Sequence, residues 1–349
     1  MKRFLLYGAY GYTGKLIAHL AADYGLTPIL AGRSEEKLKE LSNETGFDYK
    51  AFDLSDTEKL HTAMKEVDTI LHCAGPFINT FEKVVEACLE TGTHYLDITG
   101  EVDVFEPIKK ADSRAREKQI MLLPGIGFDV VPSDCLAVHL KNSMPDAESL
   151  TLAIFTKGGI SHGTAISSAS RLGQGAKVRK GGELIAVPYG YKVREFDFDG
   201  EKASGSTYQW GDLSTAYHST GIPNIETFMT NLPISIGMLK MMSVLKGMIG
   251  LSFVQQFIQK QIKKRPAGPS EEARDKGYSM VWGEVLNAKG EKQRAVFKGP
   301  EAYTLTAHTS LMALKKINAG EVKPGYQTPS TAFGKDFILE LAGTEIKFI

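Results

Sequence analysis

The chain has 349 residues, 41 acidic and 41 basic side chains, and a sequence pI of about 7.1. A chain of this length exceeds what one hydrophobic core normally fills, so we expect more than one domain. The balanced charge and the lack of a basic stripe argue against nucleic acid as a partner. The three cysteines, Cys73, Cys88 and Cys135, have no metal-ligand spacing and are odd in number, which favours a reduced, cytoplasmic protein without a metal site.

A glycine-rich turn follows the first apolar run of the chain. Residues 3–7 are typical of a buried strand, and apolar side chains recur at helical spacing from Leu16 to Tyr24. Between them, glycines permit a tight turn, close approach of the backbone to a pyrophosphate and close packing of helix on strand. The first N–H groups of the helix also favour a phosphate. Although chance glycines are an alternative, we predict a dinucleotide site formed by Gly8, Tyr10, Gly11, Tyr12, Thr13 and Gly14.

The end of the second predicted strand indicates which dinucleotide binds. Residues 27–31 are apolar and are followed by Gly32, Arg33 and Ser34. An NAD site usually carries Asp or Glu here, about 20 residues beyond the turn. Arg33 can instead pair with a 2′-phosphate and Ser34 can donate a hydrogen bond, so we predict NADP(H) as the cofactor. The alternative is a surface arginine at the start of the next helix.

Four further apolar runs continue the alternation of strands and helices. Near-continuous apolar strands are typical of a parallel sheet that is buried on both faces. We therefore predict an α/β protein whose NADP-binding domain, residues 1–128, is a Rossmann-type doubly wound parallel sheet of six strands. The four further strands are expected at residues 49–53, 69–73, 94–98 and 120–123.

The ends of these strands supply the remaining predicted cofactor residues. Asp53 follows the third strand and is expected beside the adenine. Ala74, Gly75 and Pro76 follow the fourth strand, where small residues and a rigid proline let the nicotinamide half approach the backbone. Each also has a simpler interpretation, with Asp53 as a turn cap and Gly75-Pro76 as an ordinary turn.

The pattern changes after residue 128 to that of a mixed sheet with helices. We predict a second α/β domain over residues 129–300, for substrate binding and dimerisation. Residues 301–349 are predicted to add helices and a strand that pack back on the first domain. The expected strands are 149–156, 184–187, 192–198 and 224–230, with a hairpin of 278–287 and 293–298.

Catalytic residues leave only weak signals in this sequence. Hydride transfer can rely on positioning of the cofactor, so no single motif is required. His162, in a second glycine-rich turn at residues 158–164, is a candidate proton donor because its ordinary pKa is near neutrality. Glu101 and Asp129 follow the fifth and sixth strands and are the acidic candidates. Helix capping and turn bonding are the alternatives for all three residues.

Residues 232–258 are rich in Met, Leu, Ile and Phe, and Lys263, Lys264 and Arg265 follow them. Lys240 and Lys246 interrupt the run of about 20 apolar residues that a membrane-spanning helix needs. Three interpretations stay open: a core or dimer helix, a pocket for a long acyl substrate, and peripheral membrane contact through residues 232–265.

Taken together, these motifs resemble the saccharopine dehydrogenase-like oxidoreductases, including relatives described as trans-acting enoyl reductases. The resemblance implies a nicotinamide dinucleotide on a Rossmann-type domain, with an α/β domain that covers the nicotinamide. It does not imply saccharopine as substrate, since Arg171, Arg179 and Arg194 do not form a convincing dicarboxylate site. The matching segments span nearly the whole chain and are residues 8–14, 31–33, 73–77, 127–134, 161–164 and 282–284 onward to 324–329.

These observations lead to one functional prediction and one alternative. We predict a cytoplasmic, homo-oligomeric oxidoreductase that uses NADP(H) to reduce a C=C, C=N or C=O bond of a small or lipid-like substrate. The alternative is a non-catalytic NADP(H)-binding protein that acts as a redox sensor or scaffold.

Overall fold

The computed structural model describes residues 3–171, 175–230, 260–262 and 264–349. The chain forms two compact units. The first unit consists of Met1–Val131 and Tyr303–Gly334, and the second consists of Pro132–Ala302 and Lys335–Ile349. The predicted first boundary, at residue 128, therefore lies close to the end of the first segment of the first unit.

The first unit is built on a seven-stranded parallel sheet with the order β15-β6-β5-β4-β1-β2-β3. The central strands are almost completely buried, because helices cover both faces of the sheet. The strands are β1 (Arg3–Tyr7), β2 (Thr27–Gly32), β3 (Tyr49–Ala51), β4 (Thr69–His72), β5 (His94–Asp97), β6 (Met121–Leu123) and β15 (Gly325–Tyr326).

Helices alternate with these strands, as the periodicity predicts. Two short 3₁₀ turns, Ala21–Tyr24 and Phe77–Asn79, complete the connections. The helices are α1 (Tyr12–Leu20), α2 (Glu35–Thr45), α3 (Thr57–Met64), α4 (Phe81–Thr91), α5 (Val102–Lys110), α6 (Asp112–Glu117), α11 (Ala302–Asn318) and α12 (Pro329–Phe333).

The second unit contains a nine-stranded mixed sheet in which β12 and β7 are parallel and the other described pairings are antiparallel. Its main path runs β10-β11-β12-β7-β13-β14-β16, and β8 joins β12 to β9. The strands are β7 (Ala147–Lys157), β8 (Ala176–Lys180), β9 (Glu183–Val187), β10 (Val193–Asp197), β11 (Lys202–Thr207), β12 (Asn224–Thr230), β13 (Tyr278–Asn287), β14 (Lys292–Pro300) and β16 (Glu345–Phe348). The helices are α7 (Val131–Ser143), α8 (His162–Arg171), α9 (Asp212–Thr220) and α10 (Glu271–Asp275), and Phe337–Glu340 is a 3₁₀ turn.

This second sheet curls around an aromatic core. The ring centroids of Phe196 on β10 and Trp282 on β13 lie 5.1 Å apart. A flat sheet would separate these two strands by about 19 Å, four times the usual strand spacing. On the same strand as Trp282, a Cβ at Gly283 would lie 2.5 Å from Leu140 Cδ1, so α7 packs directly against the sheet there.

The predicted fold class is confirmed, a Rossmann-type parallel sheet with a second mixed-sheet domain, but the C-terminal segment is divided differently. β15 adds a seventh strand to the first sheet, beside β6. The prediction that the last strand packs on the first domain is wrong, because β16 pairs antiparallel with β14 in the second unit. There it covers an edge that the β13–β14 hairpin would otherwise leave unpaired.

The interpretations of residues 232–258 lie outside the described residues. In the part of the chain that the structure describes, no helix combines the length and the apolar character needed to cross a membrane.

Candidate functional site

The glycine turn joins β1 to α1, and two of its glycines are required by close contacts. Gly8 has a φ of 88°, and a Cβ there would lie 2.8 Å from Ala74 N in the loop after β4. A Cβ at Gly14 would overlap Gly8 O, so α1 packs directly on the turn. Gly8 N and Ala9 N both donate to Ala31 O, at 2.8 and 3.1 Å, which fixes the turn to β2.

Gly11 is less crowded than these two glycines. Its backbone is extended, with φ −67° and ψ 162°, and it is the N-cap of α1 without a side-chain cap. In the described part of the chain, a Cβ there would meet Gly8 O alone, at 3.1 Å. The first N–H groups of a helix have no partner within the helix. Gly11 N already donates to Gly8 O at 2.9 Å, so Gly11 favours a pyrophosphate here by leaving the N-terminus of α1 uncovered by a side chain at residue 11.

The residues predicted to read the 2′-phosphate lie at the carboxyl end of β2. The Arg33 side chain is 74% exposed, and its Nε lies 4.0 Å from Asp53 Oδ2. Ser34 is the N-cap of α2, where its Oγ accepts from Lys37 N. Hydrogen bonds from Ser55 lower the pKa of Asp53, so this carboxylate is charged beside Arg33. An ion pair between two exposed groups is weak, which leaves the guanidinium available for a stronger anion.

The loop after β4 is held by Glu101. Glu101 Oε1 accepts from Phe77 N at 3.3 Å and Oε2 accepts from Ile78 N at 3.1 Å. The residue is 5% exposed, so the carboxylate is used to anchor the segment that follows Ala74, Gly75 and Pro76. This geometry favours the capping interpretation of Glu101 over the role of proton donor.

His72 and Thr80 support the same loop, and the sequence analysis missed both. His72 Nε2 lies 2.8 Å from Thr80 Oγ1, which itself lies 3.0 Å from Ala74 O. Burial lowers the pKa of His72 to about 3, so the imidazole is neutral. The only signal in the sequence is a histidine at the end of an otherwise apolar strand.

Asp97 ties β5 to the loop after β6. Its Oδ1 accepts from Thr99 N at 2.9 Å and from Gly125 N at 2.7 Å, and its Oδ2 accepts from Tyr95 Oη at 2.6 Å. Burial raises the pKa of Asp97 to about 6, against the opposing effect of these bonds. Asp129 lies next to this network, since a Cβ at Gly100 would be 2.8 Å from Asp129 Cβ. The first unit thus brings Glu101, Asp97 and Asp129 together at the ends of β5 and β6.

His162 belongs to the second unit, at the first residue of α8. Its Nε2 lies 2.6 Å from Arg265 O, and its backbone N donates to Ala267 O at 2.9 Å. Because a carbonyl oxygen only accepts, Nε2 carries a proton and the imidazole is held to the main chain.

Two of the three arginines considered for a dicarboxylate site already donate hydrogen bonds within the second unit. Buried Arg179 donates to the carbonyl oxygens of Leu213 and Gly182. Arg194 donates to Glu284, which also accepts from Arg294. The side chain of Arg171 lies outside the described residues. Among the described residues, no group of three or more His, Cys, Asp and Glu side chains is placed to hold a metal ion.

Comparison with known families assigns the first unit. Residues 4–123 match the family described as the saccharopine dehydrogenase NADP binding domain. Residues 4–123 are therefore similar to the saccharopine dehydrogenase NADP-binding domains, and the resemblance inferred from the motifs is confirmed. This match also supports the binding of a nicotinamide dinucleotide.

Individual relatives extend this assignment. The saccharopine dehydrogenase-like oxidoreductase of Bos taurus is 30% identical over 162 residues, covering 40% of this chain and 37% of that protein. The chain thus matches little more than a third of the length of the first curated relatives. The trans-acting enoyl reductase of Mycobacterium tuberculosis is 24% identical over 419 residues, covering 98% of this chain and 96% of that protein. A lipid droplet localized protein of Caenorhabditis elegans is 29% identical over 153 residues, covering 40% of this chain and 36% of that protein.

The fold also has a close counterpart among solved structures. Apo saccharopine dehydrogenase (L-Glu forming) from Saccharomyces cerevisiae has a TM-score of 0.64 and 14% sequence identity, covering 100% of both chains. At this identity the likeness concerns the fold alone. The names of the relatives support the prediction of an oxidoreductase.

Proposed function

We propose that this protein is an NADP(H)-dependent oxidoreductase that reduces a C=C, C=N or C=O bond of a small or lipid-like substrate. One observation carries the proposal: the open N-terminus of α1 at Gly11 and the exposed Arg33 lie at the carboxyl ends of neighbouring parallel strands. That edge is where parallel α/β sheets bind nucleotides. The nicotinamide, when bound, supplies the hydride chemistry.

Different residues of the first unit would bind different parts of the cofactor. The main chain from Gly11 to Thr13 would bind the pyrophosphate, Arg33 and Ser34 the 2′-phosphate, and Asp53 would lie beside the adenine. The Ala74-Gly75-Pro76 segment would carry the nicotinamide half. Glu101 would act as a positioning residue, because both of its oxygens already hold the loop after this segment.

Two residues remain proposed proton donors. Asp129 is half-buried and lies against Gly100, the residue before Glu101, and His162 carries a proton on Nε2. Either residue, in its protonated form, would give a proton to the atom of the substrate that does not receive the hydride and would regain it from solvent.

The substrate class is suggested by the names of relatives. One relative of similar length is named an enoyl reductase, and an enoyl group contains a C=C bond. Another is named for lipid droplets. These names support a lipid-like substrate for this protein. Cytoplasmic location, a homo-oligomer and peripheral membrane contact through residues 232–265 remain proposals.

A redox sensor or scaffold that binds NADP(H) without turnover is the second candidate. The observation in its favour is that the oxygens of Asp97 and Glu101 accept hydrogen bonds from backbone groups and from Tyr95. A panel of enoyl, imine and carbonyl compounds, followed by NADPH oxidation, separates the two. Turnover of any compound supports the enzyme, whereas NADPH binding without turnover across the panel supports the sensor.

Arg33→Ala tests the choice of cofactor. The loss of a hydrogen bond to a charged group should weaken NADPH binding by about 1.5–3 kcal/mol. NADH should bind nearly as before, because it lacks the 2′-phosphate. Fluorescence titration of both nucleotides measures this. Arg114→Ala, at an exposed arginine on α6 of the same unit, is the matched control and should change neither affinity. Equal losses for NADPH and NADH in Arg33→Ala would give Arg33 a structural role instead.

A further inference from the structure

Tyr10 crosses from the glycine turn to the end of β2. Its Oη lies 3.2 Å from Arg33 N and 3.3 Å from Ser34 N. Its ring lies directly on the backbone of Gly32, where a Cβ would be 2.6 Å from Tyr10 Cε1. These contacts fix the hydroxyl at the N-terminus of α2, at the point where the proposed 2′-phosphate site begins.

These two contacts do not use the hydroxyl proton of Tyr10. Both backbone groups are donors, so Tyr10 Oη accepts twice and uses both of its lone pairs. In the described part of the chain, no acceptor lies within hydrogen-bonding distance of this oxygen to take its proton. Accepting two hydrogen bonds also polarises the O–H group and makes it a better donor.

Two cationic residues contact Tyr10, one through its backbone and one over the ring. Arg33 carries one of the bonded backbone groups and has an exposed guanidinium. Lys37 Nζ lies 5.7 Å from the centroid of the Tyr10 ring. The first turn of α2 contains Glu35 and Glu36, which already balance the positive end of the helix. An anion at this position therefore depends on the side chains of Arg33, Lys37 and Tyr10, and it must compete with Asp53 for Arg33.

We infer that Tyr10 is a specificity-determining residue for the 2′-phosphate of NADP(H). This inference rests on the proposed function. The hydroxyl of Tyr10 accepts hydrogen bonds from two backbone N–H groups and would donate its own proton to a phosphate oxygen. Arg33 and Lys37 would balance the charge of the phosphate. A hydrogen bond to a charged acceptor is about twice as strong as one to a neutral acceptor. The 2′-hydroxyl of NAD(H) gains less from the same donor.

Tyr10→Phe removes the proton and keeps the ring on Gly32. The dissociation constant for NADPH should rise about tenfold, which corresponds to about 1.4 kcal/mol, and that for NADH should change by less than about twofold. Adenosine 2′,5′-bisphosphate should lose affinity in the same proportion as NADPH, whereas adenosine 5′-monophosphate should not. Tyr49→Phe, on β3 of the same sheet, is the matched control and should leave all four affinities unchanged.

Three results with the variants would overturn the inference by itself. Tighter NADPH binding by Tyr10→Phe would mean that the hydroxyl competes with the phosphate for the two backbone groups. Equal weakening of NADPH and NADH would mean that Tyr10 only shapes the turn. An unchanged preference for NADPH, with Arg33→Ala losing that preference, would refute the role of Tyr10 and leave the proposed function standing. If the wild-type protein binds neither nucleotide, the proposed function fails and the inference fails with it.

Discussion

Charged side chains are exposed after β2 and β3, whereas at the ends of β4, β5 and β6 the titratable side chains are largely buried. Arg33 and Lys37 are exposed on the first side. The ion pair between Arg33 and Asp53 is long, at 4.0 Å. On the second side, His72, Asp97 and Glu101 are buried, and each contacts a neighbouring loop or turn. The two sides of one sheet edge thus use polar groups for different purposes.

The difference follows from the cost of burying polar groups. A buried carboxylate or N–H group needs a hydrogen-bonding partner. Replacing one partner on the buried side leaves the other buried without a hydrogen bond, which lowers the free energy of unfolding. Removing an exposed cation costs the fold little stability. While it is present, the cation can bind an anion. Substitutions on the buried side should therefore change stability, and those on the exposed side should change nucleotide affinity.

The largest effect is expected at Gly8, where the glycine turn after β1 contacts the loop after β4. Gly8→Ala places a Cβ 2.8 Å from Ala74 N at a φ of 88°. Strained backbone alone costs about 1–3 kcal/mol, and the overlap adds to it, so little folded protein should remain. Gly11→Val should lower the free energy of unfolding less than Gly8→Ala, since a Cβ there would meet Gly8 O alone among the described residues, at 3.1 Å, and its φ is −67°. It should abolish nucleotide binding.

Urea denaturation and nucleotide titration of the two glycine variants test this contrast. A stable Gly8→Ala protein would refute the close-contact role of Gly8. A Gly11→Val protein as unstable as Gly8→Ala would instead assign Gly11 to packing.

Glu101→Ala should give a smaller but clear loss on the buried side. It leaves Phe77 N and Ile78 N without their acceptor, which should lower the free energy of unfolding by about 2–4 kcal/mol. Glu101→Gln retains one acceptor oxygen and should lose less. Chemical denaturation measures both. If Glu101→Gln were as stable as the wild type but unable to turn over a substrate, Glu101 would be a catalytic residue after all.

The smallest effect is a change in how stability depends on pH. Burial lowers the pKa of His72 to about 3, from an ordinary value of 6.5. The unfolded chain therefore binds a proton that the folded chain does not, and stability is lost as the pH falls from 6.5 towards 3. Burial raises the pKa of Asp97 from 3.8 to about 6, so its contribution has the opposite sign and is lost as the pH rises through this window.

Variants of the two residues should separate these contributions. Acidification from pH 6 to pH 4 should destabilise His72→Gln less than the wild type, and Asp97→Asn more. Urea denaturation at a series of pH values measures these slopes, with Tyr49→Phe on β3 as a control whose slope should match the wild type. Wild-type slopes in both variants would contradict the assigned pKa shifts.

The sequence predicted the first sheet well because its strands are local and strongly apolar. The strands from β1 to β6 appear as short apolar runs, and the glycine turn between β1 and α1 follows from steric rules that act within a few residues. The two-residue strand β15 is too short to show a pattern. β11 is missed for another reason: its sequence is Lys-Ala-Ser-Gly-Ser-Thr, and its place in the curled second sheet depends on neighbouring strands.

By itself, the sequence determined the turns at which the proposed dinucleotide site begins, since local periodicity locates Gly8, Gly11, Gly14 and Arg33 between strands and helices. Only the tertiary structure decided what the polar residues at the other strand ends do. Glu101 bonds to Phe77, 24 residues away, and Asp97 bonds to Gly125, 28 residues away. Such partners meet only when parallel strands are assembled side by side, because the ends of those strands then share one edge of the sheet.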